Sequence, residues 1–98
     1  TALCFHQDSL AIPLFFRLRQ CGMAIPTDLS VTGFDDINSA RHLGPPLTTM
    51  RQPLAEMTRA TLATLLSKHQ SEDAQRTLLF PPTLVVRGST GPAPEIRE

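Results

Sequence analysis

The chain has 98 residues with nine basic and nine acidic side chains, one small neutral domain able to bury roughly two-thirds of its unfolded surface. That balance leaves no electrostatic footprint for nucleic acid or an anionic membrane, and no apolar run approaches the roughly 20 residues that cross a bilayer. Two cysteines are too few for a disulfide framework.

Thr1-Ala2-Leu3-Cys4-Phe5 is a short apolar run without a basic n-region. A strand is expected there and a signal peptide is not; an apolar strand at the very start suggests a beginning in mid-domain. Cys4 is expected in that strand's core and Cys21 at a helix end, as reduced thiols of a cytosolic protein. His6-Gln7-Asp8-Ser9 follows, and Asp8 has the side chain of an N-cap.

Residues 10–21 read as a helix, with Gly22 as its stop. Leu10, Leu14 and Leu18 recur every four residues, while Ala11, Ile12, Phe15 and Phe16 spread the apolar surface beyond one face. Such a helix packs on a sheet with one side and on something else with the other. Pro13 lies about one turn in. Either the helix kinks there or it starts there.

Ile25-Pro26-Thr27-Asp28 forms a turn before Leu29-Ser30-Val31-Thr32-Gly33-Phe34-Asp35-Asp36. Val31 and Phe34 read as a short buried strand, and Gly33 permits close backbone approach. Strand, helix and strand make a right-handed βαβ unit with parallel strands. Gln7 and Asp8 after the first strand then share one rim with Asp35 and Asp36 after the second. Ligands of parallel α/β sheets bind outside that edge.

Residues 37–43 read as a helical turn that Gly44-Pro45-Pro46 breaks. Leu47-Thr48-Thr49-Met50 is a third strand, ending at Arg51-Gln52. Pro53 opens a helix that runs to about Lys68, with Leu54, Met57, Thr61, Leu62, Leu65 and Leu66 as its apolar face. Lys68-His69 suits the helix macrodipole, and residues 69–75 form a polar loop. Thr77-Leu78-Leu79-Phe80 and Thr83-Leu84-Val85-Val86 are two strands separated by Pro81-Pro82. Residues 89–98 have the composition of a flexible tail.

His6, His42 and His69 are scattered, and neither cysteine has a partner two to four residues away. No metal site is expected. A Gly-x-Ser-x-Gly elbow and a glycine-rich phosphate loop are both missing, so neither an enzyme nor a cofactor is expected. Adjacent Asp35 and Asp36 point apart in an extended chain and cannot flank one bond. What the rim suits is a polyhydroxylated ligand. A carboxylate accepts from neighbouring hydroxyls, while Gln7 and Gln52 each donate and accept. Charge-assisted bonds of this kind are worth about 1.5–3 kcal/mol each. His6 and Arg51 read as an ordinary strand-end histidine and a surface arginine.

His6-Gln7-Asp8-Ser9-Leu10-Ala11-Ile12, the stretch ending at Asp35-Asp36, Pro45-Pro46-Leu47-Thr48-Thr49-Met50-Arg51-Gln52-Pro53 and Leu84-Val85-Val86-Arg87-Gly88-Ser89-Thr90 together resemble the lactose-repressor/galactose-repressor family of bacterial transcription regulators. Their order and intervals match the closing part of such a protein. The resemblance implies an α/β fold with a Rossmann-like parallel sheet and flanking helices, part of a type I periplasmic-binding-protein-like domain. Residues 1–51 would belong to the C-terminal subdomain and 52–76 would cross to the other. Residues 77–88 would return, and 89–98 would form the tail.

By the same resemblance Asp35 binds effector hydroxyls, Gln7 stands where Asn is usual, Gln52 faces the cleft and Asp8 joins that rim. Leu10, Ile12, Phe16 and Leu43 would lie in a homodimer interface. Pro13 replaces a common Gly. The implied protein is cytoplasmic, binds a sugar-like small effector and reaches operator DNA only through a headpiece outside this chain. The competing reading is a fragment of a periplasmic-type sugar-binding transport protein, against which the run from Thr48 to Pro53 counts. The Pro53 helix would lack its own sheet, so it is expected to fold back on this chain's sheet or to bury itself against another copy.

Overall fold

The computed structural model describes residues 1–67 and 77–96. The expected helix end at Lys68, the Lys68-His69 charge, the polar loop 69–75 and the last two tail residues lie outside the described residues.

Strand β1 (Ala2–Cys4), helix α1 (Asp8–Gln20) and strand β2 (Ser30–Thr32) form the opening unit. The strands are parallel, with Ala2 opposite Ser30 and Cys4 opposite Thr32. A 3₁₀ turn (Asn38–His42) leads to β3 (Thr49–Arg51), which joins β2 through one parallel bridge between Thr32 and Thr48. Helix α2 (Leu54–Leu66) follows, and β4 (Thr83–Val85) returns antiparallel to β3.

Helix α1 ends as its sequence requires. Gly22 takes φ +81°, its N–H donates to the Arg19 carbonyl at 3.0 Å, and the Met23 N–H donates to the Leu18 carbonyl at 3.0 Å. These are the paired bonds of a Schellman stop, and glycine makes the left-handed turn without steric cost. The start differs from expectation. Asp8 is the first helical residue and Gln7 precedes it with no side-chain capping bond, so Asp8 is not an N-cap. Pro13 sits inside an uninterrupted helix, which excludes a helix beginning there.

The face that α1 lays on the sheet carries Asp8, Ala11 and Phe15, at helical spacings of three and four. They meet Ile25, Leu29, Val31, Ala40, Leu43 and Leu47 in one core, with Ile12 and Leu18 packed against its edge. The Leu10–Leu14–Leu18 line is therefore not the buried one. Leu10 and Phe16 remain 47% and 53% exposed, on opposite flanks of the buried stripe. Leu43, expected in a dimer interface, is instead buried in this chain's own core, because the 3₁₀ turn tucks it under the sheet.

Gly33 bears out the close approach expected of it. A Cβ there would collide with the Asp8 carboxylate and reach 3.0 Å from Leu47 Cδ2. Gly33→Ala should therefore cost about 3 kcal/mol through overpacking, read as a lowered urea midpoint with an unchanged slope. An unaltered midpoint would show that the helix can back away from the strand freely.

Other expectations are corrected. Cys4 is exposed, since among the described residues β1 pairs with β2 alone and is open along its length. Residues 77–80 are not a strand; they have no strand neighbour among the described residues. The tail does not begin at residue 89. Ser89 is wholly buried: its N–H donates to the Pro46 carbonyl at 2.9 Å, and its carbonyl accepts from Val31 N–H at 2.9 Å. Its hydroxyl donates to the Val31 carbonyl at 2.6 Å and accepts from Thr48 N–H at 2.7 Å. It fills the gap where β2 and the approach to β3 share one bridge, satisfying backbone groups that would otherwise be orphaned. Helix α2 does not fold back on the sheet. None of its residues is buried, and Leu54 and Leu65 are 60% and 72% exposed.

Candidate functional site

Because β1, β2 and the start of β3 run parallel, Gln7, Asp35-Asp36 and Arg51-Gln52 leave the sheet on one edge. The convergence expected from the βαβ order is present. Gln52 Nε2 donates to Asp35 Oδ1 at 2.7 Å, so these two side chains meet as a half-buried pair. Gln7 lies on the same edge, exposed, with its Oε1 accepting from the Ser9 hydroxyl at 3.4 Å.

The turn that presents Asp35 is strained. Asp35 has φ +111° and Asp36 φ +56°, a region that costs side-chain-bearing residues about 1–3 kcal/mol each. Successive amides are held in place. Asp35 N–H donates to the Met50 carbonyl at 2.8 Å, Asp36 N–H to the Thr49 hydroxyl at 3.4 Å and Ile37 N–H to Asp8 Oδ2 at 2.9 Å. Asp8 Oδ1 accepts from the Thr49 hydroxyl at 2.7 Å. Asp8 is fully buried with both carboxylate oxygens occupied. It braces the rim from beneath and offers nothing to a ligand, which corrects its expected place among the effector contacts.

Asp36 is expected from the alternation of an extended chain to point away from Asp35. Its carboxylate is 1% exposed and paired with three arginines. Arg87 Nη2 donates to Oδ1 at 2.7 Å, Arg51 Nε to Oδ2 at 2.7 Å and Arg41 Nη2 to Oδ2 at 3.2 Å. Arg51 is thus more than a surface residue. Burial pushes this carboxyl up, but the bonds from Arg87, Arg51 and Arg41 outweigh it and lower the pKa from 3.8 to about 2. The folded value lies below the unfolded one. The stabilisation is therefore complete above about pH 4 and is lost as pH falls from 3.8 toward 2. It amounts to about 2 kcal/mol. Asp36→Asn should lose that much at neutral pH, with the gap to the parent closing in acid. A gap independent of pH would assign the loss to packing.

Among the described residues no group of three His, Cys, Asp or Glu could hold a metal ion, and no helix is long and apolar enough to cross a membrane. The arrangement can bind and orient hydroxyl groups; the Thr49 hydroxyl that lies on the Asp8 carboxylate is buried with it. The three-arginine node escaped the sequence reading because its members are 5, 15 and 51 residues from Asp36. The one available signal was Arg87 within Val85-Val86-Arg87-Gly88.

The periplasmic binding protein-like domain family matches residues 1–90. The ribose operon repressor of Haemophilus influenzae is 41% identical over 90 residues, which is 91% of this chain and 27% of that protein. The HTH-type transcriptional regulator GalS of Salmonella typhimurium is 43% identical over 90 residues, 91% of this chain and 26% of that protein. The chain thus spans about a quarter of the length of the curated relatives it matches. The lac repressor dimer bound to operator and the anti-inducer ONPF superposes with a TM-score of 0.83 at 29% identity, covering 92% of this chain and 32% of that one. A LacI family regulator from Enterococcus faecium with bound ribose gives 0.79 at 28% identity, covering 98% of this chain and 35% of that one.

Proposed function

Because this chain belongs to the periplasmic binding protein-like domain family, in the form carried by lactose-repressor/galactose-repressor regulators, we propose that it binds the small effector of a DNA-binding transcriptional regulator. The effector is a sugar or another polyhydroxylated molecule. The observation that carries this reading is the Asp35–Gln52 pair on the strained turn at the shared strand edge. Asp35 Oδ2 accepts no hydrogen bond among the described residues, and Gln52 Oε1 and the Gln7 side-chain amide lie on the same edge. One ring with adjacent hydroxyls can satisfy all three. The ribose operon repressor among the relatives and the bound ribose of a similar structure support a monosaccharide.

Operator binding through a headpiece, and a cytoplasmic place of action, follow from the regulators it resembles. Those relatives are named as regulators rather than transport proteins or enzymes, which is the ground for preferring this reading. Helix α2, none of whose residues is buried, is assigned to the other subdomain. Calorimetric titration of the full-length regulator with D-ribose, D-glucose and D-galactose tests the proposal. Saturable binding of at least one, weakened in an Asp35 variant, is the expected result; heat-silent titrations with all three would refute a monosaccharide effector.

The same reading makes the protein a homodimer through the outward side of α1, where Phe16 and Leu10 are exposed on either side of the buried stripe and Ile12 is partly covered. Leu43 is no longer part of that surface. Phe16→Glu should move the sedimentation of the full-length protein from dimer to monomer without changing its helicity. A variant that still sediments as a dimer would place the interface elsewhere.

A further inference from the structure

We propose that Asp36 with Arg41, Arg51 and Arg87 positions the effector site: the node holds the strained turn in its binding conformation before any ligand arrives. The proposal rests on the effector reading, in which Asp35 touches the ligand. Asp36 acts only through Asp35 and Gln52 and is a positioning residue.

The connectivity carries the argument. Asp35 pairs with Gln52 while Asp36, its neighbour, pairs with Arg51, the neighbour of Gln52. Two adjacent carboxylates are thus clipped to two adjacent donors, which fixes the register of the turn against the end of β3. Arg41 ties the same carboxylate to the 3₁₀ turn. Arg87 ties it to the segment just after β4, and its Nη1 also donates to the Leu47 carbonyl at 3.0 Å. The chain leaving toward α2 and the chain coming back are therefore fastened to one side chain. A backbone at φ +111° followed by +56° relaxes unless something over-determines it. The amide bonds from residues 35–37 restrain the inner side of the turn, and the arginine node restrains the outer side. Neutralising one buried carboxylate needs one guanidinium. Three, drawn from separate segments, suit a device for geometry.

The test needs no ligand. In the full-length protein, amide exchange at residues 35–37 and the HN–Hα coupling of Asp35, which reports φ, are compared between the parent and Asp36→Asn. The expected result is at least tenfold faster exchange at residues 35–37 relative to Val31, with the Asp35 coupling moving to that of a negative φ. Faster exchange by one common factor at 35–37 and at Val31, with the coupling unchanged, would make Asp36 a general stabiliser and overturn the proposal. Should Asp36→Asn fail to fold, Arg51→Gln leaves the Arg87 pair in place and should loosen 35–37 to a smaller degree. A folded Arg51→Gln protein with 35–37 unaltered would also overturn it. A parallel titration with D-ribose, D-glucose and D-galactose keeps the two readings apart. Local loosening in Asp36→Asn, with a parent that binds none of these sugars, leaves the node's hold on the turn standing and removes the sugar-effector reading.

Discussion

Asp35→Ala and Asp35→Gly should both weaken monosaccharide binding by the full-length protein at least tenfold. A charge-assisted bond to a hydroxyl contributes about 1.5–3 kcal/mol, which corresponds to roughly 10- to 150-fold in affinity. The Gln52 amide loses its acceptor at the same time. Stability should separate the two variants. Alanine at φ +111° lacks the short polar side chain that eases positive φ for Asp, so Asp35→Ala should unfold at lower urea. Glycine adopts that φ freely and should match or exceed the parent, by up to about 1 kcal/mol. Calorimetry paired with urea unfolding reads both quantities. A stable Asp35→Gly protein that binds sugar as tightly as the parent would sink the assignment, since it lacks the carboxylate and keeps the fold.

The isolated 98-residue chain should associate as its concentration rises, and Leu62→Glu with Leu65→Glu should abolish that association. Helix α2 has 13 residues and no buried side chain. A helix of that length is marginal in water without tertiary contacts. Burying Leu54, Leu62 and Leu65 against another surface offers roughly 1.5–3 kcal/mol apiece, a large share of the roughly 5–15 kcal/mol that holds a small domain together. The groove between α2 and residues 78–80, lined by Met57, Leu65, Leu78 and Phe80, extends the same apolar surface. Light scattering over a concentration series measures association, and hydrogen exchange across residues 54–66 shows whether the helix is covered when it occurs. A strictly monomeric chain with a well-protected α2 would favour folding back on this chain's own sheet, and a monomeric one with α2 fully ordered and solvent-exposed would contradict the argument from burial.

The sequence by itself determined the features that depend on near neighbours and on strand order. A strand, an apolar helix with a glycine stop, and a second strand require a parallel pair ending on one edge. That placed Gln7 and Asp35 on a common rim, while Gln52 was set facing it only by the family resemblance. Gly33 was legible too: a glycine in a stretch that reads as a buried strand signals close approach, and just past the end of β2 the Asp8 carboxylate fills the space it leaves. The motifs in register also carried the family, which the match over residues 1–90 establishes.

Tertiary structure decided whatever depends on a partner far along the chain. Ser89 sits in a polar, proline-containing segment that reads as tail, and it is buried because β2 and the approach to β3 leave backbone groups unpaired between them. Asp8 has the composition of a cap, but its carboxylate is claimed by Thr49 and Ile37 once the third strand arrives. Leu43 and Phe16 are both apolar, and only the packing of the 3₁₀ turn sends one into the core and leaves the other outside. Asp36 gathers arginines from segments up to 51 residues away. Periodicity reports which face of an element is apolar; it carries no record of which distant polar groups will meet there, because that pairing is chosen by the desolvation cost of leaving them unmatched in the folded chain.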